Sequence, residues 1–167
     1  MRTITVEPYN PMWPSEFLAI RSYLLKSLKE QVICIEHVGS TAVFGLSSKP
    51  IIDIDIVISS YDVFDEVKAI LETLGYYHNG DQGIKTREAF KYATTSFMTH
   101  HLYVCPQNSV ELKKHLLFRD HLNACEVDKK AYANIKIEAA KRHPHDIEAY
   151  LKMKGIFINK IYKHLGL

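Results

Sequence analysis

The chain has 167 residues, 47% hydrophobic and 24% charged, which suits one globular domain spanning residues 1–167. Its formal net charge of +2 is too small for bulk electrostatics to indicate nucleic-acid or membrane binding. The three cysteines, Cys34, Cys105 and Cys125, are far apart and form no CxxC pair. Neither a disulfide framework nor a structural zinc site is expected, and a reducing cytoplasmic location fits. Cys34 and Cys105 sit in apolar runs and read as small buried hydrophobes. The first six residues carry no apolar signal segment, and no apolar run approaches the ~20 residues of a membrane-spanning helix.

The elements follow in chain order. Pro14 suits the first turn of a helix, where its missing N–H costs nothing, and Phe17, Ile20, Leu24 and Leu28 then recur at helical spacing. Trp13, the only tryptophan, is assigned to a helix–sheet interface. Residues 32–38 (VICIEHV) read as a strand, 41–50 as a loop with a helical turn after Ser40, and 51–58 (IIDIDIVI) as the strongest strand. Ser59 or Ser60 caps a helix whose buried face is Phe64, Val67, Ile70, Leu71 and Leu74, with Gly75 as its stop. After a glycine-marked loop, 88–93 and 97–105 read as strands. Three helices complete the chain: 109–124, one starting at the N-cap Asp128 and stopping before Pro144, and one from Asp146. The apolar stripe of the last is Ile147, Tyr150, Leu151, Ile158, Ile161, Tyr162 and Leu165, interrupted by Lys154. The expected class is α+β, a small mixed sheet with packed helices and a helical C-terminal third.

Asp53 and Asp55 lie two apart in a strand and therefore face the same side, while Ile52, Ile54 and Ile56 line the other. Paired carboxylates on a core strand repel and cost desolvation. A hard divalent cation offsets that cost, and Mg²⁺ suits one or two carboxylates plus substrate phosphates. The preceding strand closes on Gly39-Ser40. Glycine there permits a tight turn and close backbone approach, and the following amides with the Ser40 hydroxyl can hold a phosphate.

A strand ending in apolar-Gly-Ser, twelve intervening residues, and a strand carrying Asp-apolar-Asp-apolar resembles the signature of the nucleotidyltransferase superfamily, the polymerase beta-like enzymes. Residues 36–56 (EHVGSTAVFGLSSKPIIDIDI) resemble more specifically the GrpB family. The resemblance continues through 8–13 (PYNPMW), 99–104 (THHLYV), 115–120 (HLLFRD) and 142–146 (RHPHD). It implies that Gly39 and Ser40 bind nucleotide phosphate. It also implies that Asp53 and Asp55 ligate Mg²⁺, or Mn²⁺, to orient a nucleoside triphosphate for transfer of its monophosphate to an unknown acceptor. Active members of the superfamily usually add a third carboxylate on a later strand. Here that strand offers His100 and His101 and no acid. Alternation places His101 with Tyr103 and His100 with the apolar Leu102, so His101 is the candidate base or ligand. The missing acid leaves a second reading, a catalytically inactive nucleotide-binding module.

Further candidates are Lys49, aimed by the extended backbone that Pro50 imposes, and Arg119, adjacent to Asp120 but pointing elsewhere on its helix. Lys85 and Arg87 in a loop, and Lys154, could also meet phosphate. Glu36 and His37 read chiefly as sheet residues. A phosphohydrolase is disfavoured because the sequence shows no histidine–carboxylate cluster with metal-ligand spacing.

Overall fold

The computed structural model describes residues 3–167; Met1 and Arg2 of the expected domain lie outside them. Helix α1 (Trp13–Leu28) leads into strand β1 (Cys34–Val38), a single 3-10 turn (Ser40–Ala42) and strand β2 (Ile52–Ile58). Helix α2 (Phe64–Thr73) and strands β3 (Tyr76–His78), β4 (Glu88–Tyr92) and β5 (His100–Pro106) follow. Helices α3 (Val110–Ala124), α4 (Glu126–Arg142) and α5 (Ile147–His164) complete the chain. The sheet order is β1-β2-β5-β4-β3. Only β2 and β5 run parallel; every other neighbouring pair is antiparallel.

The two faces of β2 divide the molecule. Ile52, Ile54, Ile56 and Ile58 are fully buried against Trp13, Phe17, Ile20 and Leu24 of α1 and Val67 and Leu71 of α2. Each such isoleucine contributes about 1.5–3 kcal/mol by leaving water, which fixes the register of β2, because a one-residue slip would turn both aspartates into this core. On the opposite face Val57 and Cys105 pack on Leu112 of α3. A separate cluster of Val43, Leu46, Leu122, Tyr132, Phe157 and Ile161 ties α3, α4 and α5 to the loop before β2.

Several sequence expectations need correction. Strand β3 is short and alternates poorly, so its pairing with β4 is what makes it a strand. Cys125, not Asp128, caps α4, and the Asp128 carboxylate instead accepts from His121. Ser60 caps a 3-10 turn that precedes α2. On α5, Ile147 and Leu151 remain exposed, whereas Phe157, outside the expected stripe, is buried. Arg119 and Asp120 do not point apart: their side chains meet at 2.8 Å. Pro near the start of α1, the Asp146 cap of α5 and the deep burial of Trp13 agree with expectation.

Candidate active site

Gly39 follows β1 in a conformation, φ 72° and ψ −171°, that is essentially open only to glycine. A Cβ at this position would strike the carboxylate of Asp53, whose Oδ2 and Cγ lie against the glycine. Gly39 therefore serves close approach as well as the turn. The neighbouring loop is locked from below. The buried Thr41 hydroxyl donates to the Ile51 carbonyl at 3.3 Å, which leaves it to accept from His37 Nε2 at 2.9 Å. His37 also stacks on Phe17, with ring centres 4.7 Å apart. Burial drives its pKa down to about 4, so this histidine is a neutral structural pin.

The register of the sheet sets the rest. Asp53 is paired with His101 and Asp55 with Tyr103 across the parallel β2–β5 ladder. His101 Nδ1 lies 2.8 Å from Asp53 Oδ1. His115, on α3, reaches down to place Nδ1 2.6 Å from Asp55 Oδ2. Each carboxylate thus gives one oxygen to an imidazole and keeps the other. The spare oxygen of Asp53 lies over Gly39, while that of Asp55 is buried with no hydrogen-bond partner. Neither imidazole uses Nε2 in a hydrogen bond among the described residues.

Asp55 is fully buried, and burial raises its pKa against the opposing influence of His115. Burial likewise opposes a charge on His115, but the hydrogen bond and charge of Asp55 outweigh it and raise the pKa of the imidazole. Burial thus opposes the charged form of each partner while their mutual hydrogen bond favours it, an arrangement that is costly unless further ligands complete it.

The far side of the cleft is cationic. The same hollow is lined by Ser40, Asp53, Arg87, Tyr103, Lys136, Tyr150 and Lys154. Arg87 packs its guanidinium 4.3 Å from the centre of the Tyr103 ring, and its Nε is buried without a partner. Lys136 is 1% exposed, donates to the Ser47 carbonyl at 2.5 Å, and is pushed down to about pKa 6 by burial. Burial also lowers the pKa of Lys154. Neither lysine forms an ion pair among the described residues. Basic side chains without ion-pair partners, which a bound anion would hold protonated, stand beside two carboxylates with spare oxygens and suit a ligand that carries both a metal ion and several negative charges.

Gly39, Ser40, Asp53, Asp55 and His101 are thus brought together. Ser40 and Tyr132 line the same hollow. The helical turn after Gly39 is a single 3-10 turn, so its amides rather than a helix dipole are available to an anion. Lys49 lines the outer part of the hollow, with its ammonium 5.5 Å from the Tyr150 ring centre. Arg119 is not brought in. Its guanidinium pairs with Glu36 at 2.7 Å and Asp120 at 2.8 Å and donates to the His37 carbonyl, clamping α3 to β1. His100 faces the core as expected, its Nδ1 donating to the Met98 carbonyl and its Nε2 accepting from Tyr76.

Sequence reasoning missed His115, Lys136 and Tyr132, and the histidine–carboxylate pairs themselves, which form only across 48 and 60 residues. The signal for His115 was its helical phase, three residues after the buried Leu112. Lys136 shares a face of α4 with the buried Tyr132 and Ala139.

The chain has clear relatives among known proteins. The chain is 37% identical to UPF0157 protein PA4798 of Pseudomonas aeruginosa over 161 residues, covering 95% of the chain and 66% of that protein. It is 31% identical to UPF0157 protein YqkA of Bacillus subtilis, covering 94% of the chain but only 46% of the relative. The chain therefore spans about half to two thirds of the length of these two relatives. The crystal structure of conserved protein GrpB from Enterococcus faecalis superposes with a TM-score of 0.79 at 29% identity, covering 95% of this chain and 99% of that one. At 16% identity or less, Cid1 in complex with its short product ApU and the GLD-2/RNP-8 complex share the fold, with TM-scores of 0.56 and 0.59. They cover 82% and 87% of this chain and 43% and 59% of theirs. The fold is thus that of nucleotidyltransferases. Since the model of the GrpB protein family matches residues 3–164, the chain belongs to the GrpB family.

Proposed function

We propose that this cleft binds a divalent cation with a nucleoside triphosphate and transfers the nucleoside monophosphate to an acceptor. The observation that carries the reading is the pairing of two spare carboxylate oxygens, one of them buried and unpartnered, with the basic side chains of Arg87, Lys136 and Lys154 that line the same hollow. The all-oxygen donor set of Asp53 and Asp55 fits Mg²⁺ or Mn²⁺. A cation bound there would neutralise phosphate charge and polarise the α-phosphorus. A distant neighbour of the same fold, the Cid1 poly(U) polymerase, was solved with MgGTP bound, which agrees with that donor set.

The chain's own residues have separate tasks. Lys136, Lys154 and Arg87 hold the β- and γ-phosphates, with Lys49 at the rim. The amides at Gly39-Ser40 and the Ser40 hydroxyl fix the triphosphate against β2. His115 orients Asp55 and opposes the effect of burial on its carboxylate. His101, at the open edge and held through Nδ1 by Asp53, takes the acceptor proton on Nε2 as the acceptor oxygen bonds to the α-phosphorus and pyrophosphate leaves.

A second reading, nucleotide binding without transfer, is favoured by one observation. The cleft face of β5 presents His101, Tyr103 and Cys105 and no carboxylate. Incubation with each labelled triphosphate and Mg²⁺ or Mn²⁺ separates the two. Pyrophosphate release that Asp53→Ala/Asp55→Ala abolishes supports transfer. Tight binding without release supports the module, and failure to bind any nucleotide or metal ion refutes both.

A further inference from the structure

A second group of metal-ligating side chains lies outside the cleft, where α3, α4 and α5 meet. His121 stands in the last turn of α3 and Cys125 is the single junction residue between α3 and α4. Asp128 lies in the first turn of α4 and His164 in the last turn of α5. The ligand atoms of His121, Cys125 and Asp128 all lie within 4.8 Å of one another. Three ligands on a tetrahedral zinc ion stand roughly 3.3–3.8 Å apart, given bonds of about 2.0–2.3 Å, so the cluster needs only a small contraction. His164 stands beside His121. Its ring centre is 5.9 Å from that of His121, against roughly 5 Å for two imidazoles on one ion.

The cluster is built rather than incidental. Asp128 accepts from His121 Nε2 at 2.7 Å, and the Cys125 thiol lies within 4.8 Å of both ligand atoms. The proton in that bond occupies the position that a cation takes when it binds. The spacing of four and then three residues carries the ligands round one helical corner, because the chain turns from α3 into α4 at Cys125 alone.

We propose that His121, Cys125, Asp128 and His164 form a zinc site that staples the three C-terminal helices. Thiolate, imidazole and carboxylate donors in a compact tetrahedron select Zn²⁺ over the hard cations that suit the cleft. Binding displaces the Cys125 thiol proton to solvent and moves the remaining His121 proton to Nδ1. One proton is released per ion at a pH below the thiol pKa. The staple acts on the wall of the cleft, since α3 carries His115, α4 carries Lys136 and α5 carries Lys154. The sequence obscures the site because its ligands are one cysteine, one acid and two histidines, with 35 residues between Asp128 and His164.

The test is a titration of the untagged, chelator-treated full chain with Zn²⁺ against a chromophoric chelator, and separately with Co²⁺ followed by absorption. One equivalent of Zn²⁺ is expected to bind. Cys125→Ser and Asp128→Asn are each expected to weaken it at least tenfold, and His164→Ala to weaken it measurably. Asp53→Asn/Asp55→Asn should leave that equivalent intact. The Co²⁺ form should show a thiolate charge-transfer band that Cys125→Ser removes. An equivalent lost with the cleft aspartates, one insensitive to Cys125→Ser and Asp128→Asn, or a Co²⁺ spectrum without the thiolate band overturns the proposal. Should Cys125→Ser fail to fold, Asp128→Asn and the Co²⁺ spectrum of the unmodified chain decide it alone. An unaltered affinity in His164→Ala refutes the fourth ligand.

Discussion

Replacing Gly39 with alanine should damage stability and ligand binding together, for two separable reasons. A side chain at φ 72° and ψ −171° costs about 1–3 kcal/mol of backbone strain. The new methyl group would also overlap the Asp53 carboxylate, with Cγ at 2.9 Å and Cβ at 3.0 Å from the methyl carbon. Asp53 is anchored by β2 on one side and by its 2.8 Å contact with His101 on the other. Displacing it sacrifices a charge-assisted hydrogen bond worth roughly 1.5–3 kcal/mol. The expected loss of stability is therefore about 2.5–6 kcal/mol, with metal-dependent nucleotide affinity falling more than tenfold. Gly45 is the control: it also has a positive φ, 77°, but a Cβ there would meet nothing nearer than the Lys129 ammonium at 4.0 Å. Denaturant unfolding with nucleotide titration of Gly39→Ala and Gly45→Ala decides the matter. Equal losses of stability, or full nucleotide affinity in Gly39→Ala, would refute the close-approach argument.

Asp55→Asn preserves shape and the acceptor for His115 while removing a charge that burial opposes. Unfolding curves should show stability within about 1 kcal/mol of the parent or above it, while cation affinity is lost. Arg119→Ala should cost about 1–3 kcal/mol in unfolding experiments by releasing α3 from β1, with nucleotide affinity of the folded fraction unchanged. Lys136→Met should weaken triphosphate binding at least tenfold by calorimetry with little loss of stability. His37 has a folded pKa lowered to about 4 from 6.5. The unfolded chain therefore binds more protons between those values, and stability contributed by the neutral ring falls as pH drops from about 6.5 toward 4. After allowance for partial exposure the contribution is at most about 3 kcal/mol. His37→Gln should flatten that part of the pH–stability profile.

Much of the fold was readable because its signals are local. Four isoleucines and two aspartates on opposite faces defined β2 and its orientation without any partner strand. Ser109 and Asp146 marked helix starts, and Gly75 marked a stop. Strand β3 was not readable, since three residues with two tyrosines become a strand only through β4. The same division runs through the site. Gly39-Ser40 and Asp53-Asp55 sit at the ends and middle of adjacent strands, so their meeting follows from spacing. His115 and Lys136 enter from helices more than fifty residues away, and their helical phase marks them as inward-facing without showing what they meet. Arg119 misled for a related reason: a cation in a family-like motif was taken for a ligand contact, whereas Glu36 across the sheet had already claimed it.

The most direct test of the central claim is nucleoside triphosphate affinity, measured by calorimetry with and without Mg²⁺, for the parent chain and for Asp53→Asn/Asp55→Asn. The account predicts at least tenfold tighter binding with Mg²⁺ in the parent and no metal dependence in the double variant. Binding that ignores Mg²⁺ in the parent, or a Mg²⁺ effect that survives the double substitution, would contradict it.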